Sequence, residues 1–225
     1  MSAENLSWNP VLNRLRQFVP KISATEQTAL DAGTVGWEQS LYNGNPDWDT
    51  IFSYGAPGLT EEERAFVDNE VAELCEMIDN WEIKQRQDLP ERVWQFIKDK
   101  KFWSMLIDKE YGGLGFSSYA RSEIVTRIAS RSLDAAVAIM VPNSLGPGEL
   151  LQKYGTPAQQ DKYLNALAEG RETPCFGLTE PNAGSDAFGS MQSKGVVEKH
   201  PETGKPVIRL DFDKRYITLG PKASL

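Results

Sequence analysis

The apolar residues of this chain change their spacing at Pro174, and this change constrains the fold more than any other feature of the sequence. Before Pro174 they recur every three or four residues, which is the period of amphipathic helices. After Pro174 they alternate every second residue, which is the period of β-strands. We therefore predict an α+β fold, in which an all-helical N-terminal part is followed by the start of a β part.

Residues that favour helix starts recur along the helical part. N-caps, capping boxes and first-turn prolines occur at Asn9-Pro10, Ser23 to Glu26, Thr60 to Glu63, Pro90 and Thr156-Pro157. We predict a helix after each of them, with the second ending near Gly33, and a further helix from about Ser118. Residues 43–60 are rich in Gly, Pro, Asn and Asp, which predicts a long loop.

Apolar residues at helical spacing predict the core. One stripe begins at Phe66 and ends at Trp81, which predicts a single long helix, and Trp94 and Trp103 lie on further stripes. The segment from Leu133 to Val141 is apolar nearly all round, which is typical of a buried central helix.

Three segments after Pro174 have the pattern of strands, namely Cys175–Glu180, Lys205–Phe212 and Arg215–Leu219, and the second alternates as a half-buried strand does. Only 52 residues run from Pro174 to Leu225, which is too few for a sheet with two covered faces. We expect a truncated chain of three parts: an arm and loop (1–59), a helical domain (60–173) and an incomplete β domain (174–225).

Composition excludes several functions. With 24 Lys and Arg against 32 Asp and Glu, the net charge is −8, which argues against a nucleic-acid partner. No apolar run approaches the ~18 residues of a membrane span, and the N-terminus lacks the pattern of a signal peptide. The two cysteines and one histidine do not form a zinc-binding pattern, and reduced thiols suit a cytoplasmic protein.

The most informative segment is FGLTEPNAGSD, residues 176–186. Its small residues allow the backbone to turn with free N–H groups, and Gly184-Ser185-Asp186 offers a tight turn, a hydroxyl and an acid that could hold an anion or a polar ring edge. A plain turn with an Asx or Ser cap explains the same residues. From the residues alone both interpretations stay open.

FGLTEPNAGSD resembles the flavin-contacting signature of the acyl-CoA dehydrogenases, and Lys214-Arg-Tyr-Ile-Thr218 resembles their second signature. Further stretches resemble the long bacterial form that acts in fatty-acid β-oxidation, so that the resemblance covers the chain from about residue 21 onward. It implies an all-helical N-terminal domain followed by the start of a β-barrel-like middle domain, with FAD as cofactor and acyl-CoA as substrate.

The resemblance also implies roles for single residues. The strand exit from Phe176 and Gly177 to Ser185 would lie along the flavin, with the Leu178 backbone and the Thr179 backbone and hydroxyl bonded to the polar ring edge. Ser185 would lie where substrate and cofactor meet. Tyr216, Ile217 and Thr218 would pack on another part of the ring, with the Thr218 hydroxyl near the flavin N5.

The chain departs from the family pattern at several positions. Tyr216 replaces a usual Trp, Leu219 replaces an Asn, and Asn182 replaces a common Gly, although Asn tolerates left-handed backbone. The family's catalytic carboxylate belongs to a C-terminal helical domain that has no counterpart here. Glu180 and Asp186 are better explained as groups that order the turn, so we assign no catalytic residue in this chain.

Three functions remain open at this stage. The leading one is part of a flavin-dependent acyl-CoA dehydrogenase, for which the resemblance implies an electron-transfer flavoprotein as acceptor, a homo-oligomer, and a cytoplasmic location with or without peripheral association with the inner membrane. The second is a non-catalytic acyl-CoA-binding or helical interaction module. The third is a related acyl-CoA oxidase or flavin monooxygenase.

Overall fold

The computed structural model describes residues 10, 14–15, 24–33 and 36–225. Its contacts divide the chain into two compact units, Met1–Ala56 and Pro57–Leu225, which are described separately. The helix predicted between Asn9 and Val19 and the cap predicted at Ser23 lie largely outside the described residues, and the boundaries of the three proposed domains stay predictions. Within the described ranges, no helix is long and apolar enough to cross a bilayer.

The described part of the first unit contains the short helices α1 (Ala24–Ala32), α2 (Glu38–Tyr42) and α3 (Trp48–Ser53). Helix α1 ends before Gly33, whose φ of +64° is left-handed, as the sequence predicts. Helix α3 lies inside the segment predicted as a loop, so that prediction is wrong over these residues. The reason is local, because the Asp47 carboxylate accepts the Thr50 N–H at 3.0 Å and caps the helix.

The second unit is mainly helical. Helix α4 (Glu61–Phe66) continues through a π-helical turn (Val67–Val71) into α5 (Ala72–Met77). The later helices are α6 (Asn80–Arg86), α7 (Glu91–Asp99), α8 (Ser118–Arg131), α9 (Leu133–Ser144), α10 (Gly148–Tyr154), α11 (Pro157–Ala168) and α12 (Ala187–Ser190). Short 3₁₀ helices occupy Phe102–Ser104 and Lys109–Tyr111. The capping boxes predicted at Thr60 and Thr156 are both present.

The core lies between α4–α5, α7, α8 and α9, and its fully buried side chains include Val71, Leu74, Val93, Ile97, Phe102, Ile124, Ile128 and Ile139. Trp94 and Trp103 are buried, as predicted. Trp81 is 72% exposed, so its prediction as a core residue is wrong. The cause is Asp79, which accepts the N–H groups of residues 81 and 82 and starts a new helix, so that Ile83 takes the buried position.

Helix α9 is only partly the buried helix that the sequence predicts. Ala135, Ala136 and Ile139 are buried, but Leu133 is 69% exposed. Leu133 and Val137 line an open cavity of about 520 Å³ together with residues of α6, α7 and the loop between them. One side of α9 is therefore open in this unit.

The strands form one antiparallel hairpin, β1 (Lys194–Lys199) and β2 (Pro206–Asp211), with Val197 opposite Ile208. Strand β2 was predicted, but its partner β1 was not. Ile208 and Leu210 are each 63% exposed, so the expected half-buried face is uncovered. Cys175–Glu180 and Arg215–Leu219 are not strands, apart from an isolated bridge between Glu180 and Ala183, so those predictions are wrong.

Candidate functional site

The two sequence motifs meet beside the hairpin, even though neither forms a regular strand. The Arg215 N–H donates to the Thr179 carbonyl at 2.9 Å. The Lys214 ammonium donates to the Leu178 carbonyl at 3.1 Å. The structure thus brings the segment of Phe176 to Thr179 against the start of the segment that carries Tyr216, Ile217 and Thr218.

A tight turn follows the first segment. The N–H of Glu180 donates to the Ala183 carbonyl at 3.0 Å, and the N–H of Ala183 returns a bond of 3.2 Å. Ser185 lies beyond this turn on the surface. Asp186 precedes α12 and accepts a hydrogen bond from the hydroxyl of Ser190 at the end of this helix, which agrees with the expectation that it orders the loop.

Glu180 is the centre of the site's hydrogen bonding. Its side chain is buried, and its carboxylate accepts the Gln192 N–H at 2.6 Å, the Ser193 N–H at 3.2 Å, the Ser193 hydroxyl and the Lys214 ammonium at 2.7 Å. The bonds from Lys214, Ser193 and Gln192 outweigh the effect of burial and lower the pKa of Glu180 to about 2. Such a group is a poor proton acceptor near neutral pH, so Glu180 orders the site and is unsuited to act as a base.

The first segment presents unused donors. In the described part of the chain, the N–H groups of Leu178 and Thr179 and the hydroxyls of Thr179, Ser185 and Thr218 have no hydrogen-bond partner. Phe176 is 43% exposed and Tyr216 is 89% exposed, so both aromatic rings are open to a ligand. The two segments together therefore combine free donors with accessible rings.

An open cleft of about 370 Å³ lies between the start of the first segment and the hairpin, and is lined by Gly177, Ser193, Lys194, Leu210, Phe212 and Lys214. A Cβ placed on Gly177 would meet no atom within 4 Å, so the backbone there can be approached closely. A flavin ring needs apolar surface for its faces and hydrogen-bond donors for its pyrimidine edge. The donors and the cleft fit the FAD that the resemblance implies, although the assignment of individual residues stays a prediction.

The second segment has an unusual backbone. Tyr216 and Leu219 have φ of +58° and +63°, a left-handed region that non-glycine residues rarely adopt. This explains why Arg215–Leu219 is not a strand, because a strand requires extended backbone at every position. Asn182, which was expected to tolerate such a conformation, is not among the left-handed residues in the described ranges.

Sequence reasoning missed the residues that hold the site together. Lys214 was noted only as the start of a motif, and Ser193, Leu210 and Phe212 were not noted as site residues. One signal was available, because Val196 and Val197 form a β-branched pair twelve and eleven residues before Ile208 and predict a strand long enough to pair with it.

Comparisons with known proteins show what the chain resembles. The family model for the acyl-CoA dehydrogenase N-terminal domain matches residues 58–171, about half of the chain. The human mitochondrial very long-chain specific acyl-CoA dehydrogenase is 28% identical over 173 residues, which are 75% of this chain and 26% of that protein. The CarC subunit of the caffeyl-CoA reductase-Etf complex of Acetobacterium woodii is 32% identical over 158 residues, 70% of this chain and 38% of that subunit.

Solved structures show the same fold. Butyryl-CoA dehydrogenase from Megasphaera elsdenii matches with a TM-score of 0.63 and 24% identity, over 75% of this chain and 43% of that one. PigA with FAD and proline matches with a TM-score of 0.60 and 21% identity, again over 75% of this chain and 43% of that one. The chain therefore spans between 26% and 43% of the length of these proteins.

Proposed function

Because this chain belongs to the acyl-CoA dehydrogenase family, we propose that it is part of an FAD-dependent enzyme that desaturates the α,β bond of acyl-CoA thioesters in fatty-acid β-oxidation. The observation that carries the proposal is the meeting of the two motifs, in which the Arg215 N–H bonds the Thr179 carbonyl at 2.9 Å while the donors of Leu178 and Thr179 remain unused. Bound FAD would supply a two-electron acceptor for the hydride that leaves the β-carbon.

The residues of this chain would bind and orient the ring. The N–H groups of Leu178 and Thr179 and the Thr179 hydroxyl would donate to its polar edge, with Phe176 and Gly177 alongside. The second segment would provide the other contacts: the Tyr216 ring would give an aromatic face, Ile217 an apolar one, and the Thr218 hydroxyl a donor near N5. Ser185 would bind at the junction of substrate and cofactor.

The proton on the α-carbon needs a carboxylate from outside the described site. Glu180 is ionised, buried and saturated with donors, and Asp186 is bonded to Ser190, so we assign neither as the base. The base is expected in a further part of the enzyme, since the chain spans 26% of the human relative. We expect the 225-residue chain alone to be inactive, because loss of a general base typically lowers the rate about 10²–10⁴-fold.

Three further parts of the proposal concern partners and location. The name of the CarC complex supports an electron-transfer flavoprotein as the electron acceptor. A homo-oligomer and a cytoplasmic location, with or without peripheral contact with the inner membrane, stay predictions.

FAD binding by the full 225-residue chain tests the proposal. Titration of FAD against the purified chain, followed by flavin fluorescence, should give saturable binding. Thr179→Ala should weaken the affinity several-fold, since it removes one hydrogen bond. Thr203→Ala, in the exposed hairpin turn, is the matched control and should bind FAD as the parent does.

Three results would contradict the proposal. Absence of saturable binding to the parent chain would remove the flavin assignment and favour a non-catalytic module. Equal loss of affinity in Thr179→Ala and Thr203→Ala would show that the motif has no specific part in binding. Reduction of a dye by the chain with acyl-CoA and FAD would contradict the absence of a base.

A further inference from the structure

Lys214 forms two bonds with one ammonium group. Its Nζ donates to a Glu180 carboxylate oxygen at 2.7 Å and to the Leu178 carbonyl oxygen at 3.1 Å. The ion pair is nearly closed to water, with side-chain exposures of 15% for Lys214 and 4% for Glu180. Because Glu180 is also held by the Gln192 N–H and the Ser193 N–H, the ammonium has one well-defined place.

The bond to the Leu178 carbonyl determines the direction of the next N–H. The Leu178 carbonyl and the Thr179 N–H belong to one planar peptide unit, and in a trans peptide they point in opposite directions. The described chain has no cis peptide bonds. Lys214 therefore turns the Thr179 N–H away from itself and leaves it without an internal acceptor.

We propose that Lys214 is a positioning residue, which Glu180 holds in place so that its ammonium orients the Leu178–Thr179 peptide with the Thr179 N–H directed at the flavin. This inference rests on the proposed function, because it assigns a purpose to the orientation of that N–H. The second bond between the segments, from the Arg215 N–H to the Thr179 carbonyl, orients the following peptide in the same manner.

The energetics of buried ion pairs favour a positioning role over a purely stabilising one. Taking two charges out of water is costly, and well-packed apolar replacements of such pairs are often neutral or stabilising for the fold. An isolated loop could be packed equally well by apolar side chains. A charged pair instead specifies one geometry, because the ammonium must point at both of its acceptors.

The test uses the full chain, with FAD as the probe and four variants. Lys214→Met removes the ammonium but keeps the apolar stem, and Glu180→Gln removes the charge that holds it. Glu180→Gln/Lys214→Met combines them. Arg209→Met is the matched control, since it removes the cation of an exposed hairpin pair, Arg209–Glu198 at 3.2 Å.

We measure the dissociation constant for FAD, the thermal midpoint and the ¹³C shift of the Leu178 carbonyl without FAD. Lys214→Met should weaken FAD binding about 3- to 10-fold, the effect of one misdirected hydrogen bond. It should also lower the midpoint, because the buried Glu180 carboxylate loses its cation. The Leu178 carbonyl shift should move in Lys214→Met and Glu180→Gln and stay in place in Arg209→Met. The double variant should bind FAD no more weakly than the weaker-binding single variant, because both substitutions act through the one ammonium group.

The outcomes separate this inference from the proposed function. Parent-like FAD affinity in Lys214→Met would overturn the positioning role while leaving the flavin site in place. Additive losses in the double variant would also overturn it, since Glu180 would then act independently of Lys214. Failure of the parent chain to bind FAD would overturn both, and an unchanged Leu178 shift in Lys214→Met would show that the ammonium does not orient the peptide at all.

Discussion

Replacing the buried carboxylate of Glu63 by an amide should destabilise the helical unit strongly. Glu63 is 4% exposed, and its two oxygens accept the Thr60 N–H at 2.8 Å and the Ser117 N–H at 2.7 Å. It therefore closes the capping box of α4 and also ties this helix to the start of α8, 54 residues later. In Glu63→Gln the amide oxygen can serve only one of the two N–H groups, and the NH₂ group faces the other.

The size of this loss of stability follows from the contacts of Glu63. Leaving one of these partly buried N–H groups without an acceptor costs about 1–3 kcal/mol, and loss of a charge at a helix N-terminus costs about 0.3–1 kcal/mol more. We expect Glu63→Gln to lower the free energy of unfolding by about 2–3 kcal/mol at pH 7. Glu61→Gln changes the same group in the same helical turn at an exposed position, and should lose only the dipole contribution.

The difference in free energy of unfolding between the parent and Glu63→Gln should depend on pH. Burial opposes ionisation of Glu63, but hydrogen bonds from Ser117 and Thr60 outweigh it and hold the pKa of this carboxyl below its usual value. A carboxyl whose pKa is lower in the folded state contributes stability above its unfolded pKa, and this contribution is lost as the pH falls through the folded pKa. The difference in stability between the parent and Glu63→Gln should therefore begin to shrink as the pH falls below the unfolded pKa of about 4.3.

Urea unfolding followed by tryptophan fluorescence measures both effects, since Trp94 and Trp103 are buried in the same unit. The series runs from pH 7 down to pH 3 for the parent, Glu63→Gln and Glu61→Gln. If Glu63→Gln at pH 7 lost no more stability than Glu61→Gln, the carboxylate would not be joining the two helices. A difference that stayed constant down to pH 3 would show that ionisation of Glu63 is not its source.

The remaining predictions concern stability and use the same unfolding assay at pH 7. Gln87→Gly should raise the free energy of unfolding by about 1 kcal/mol, because Gln87 is exposed and has a left-handed φ of +56°. Glycine avoids the roughly 1–2 kcal/mol that this conformation costs other residues, but its greater freedom in the unfolded chain offsets part of the gain. Ile97→Ala, at a fully buried position, should cost about 2–5 kcal/mol by leaving a cavity. Asn143→Ala should cost about 2–4 kcal/mol, since this buried amide accepts the Met105 N–H at 3.0 Å and donates to the Phe102 carbonyl at 2.7 Å. A loss below 1 kcal/mol in either of the last two variants would contradict the described packing.

The start of a helix could be read from the sequence because it depends on residues within four positions of one another. The capping boxes at Thr60 and Thr156 bond a side chain to a backbone N–H three residues away, and both are present. Asp47 and Asp79 carry the same kind of local signal, since each is an acidic cap that starts a helix where a loop or a continuous helix is predicted. These errors were ones of interpretation, since the information is local.

Strand assignments failed where the partner was distant. Cys175–Glu180 has the composition of a strand, but a strand requires a neighbouring backbone to accept and donate its hydrogen bonds, and the sequence does not name that neighbour. In the structure the partner of β2 is β1, while Thr179 receives a single bond from Arg215. Composition alone cannot distinguish a segment that finds a partner strand, such as β2, from one that does not, such as Cys175–Glu180.

The sequence by itself determined the succession of a mainly helical part and a β part, most of the core and the segments that carry the family signatures. Tertiary structure alone decided what holds these segments together. Glu180 could be expected to order a turn from its place in the motif, but its partners Ser193 and Lys214 lie 13 and 34 residues along the chain. A carboxylate accepts equally well from any donor that folding brings within about 3 Å, so its partners depend on the path of the whole chain and not on local spacing.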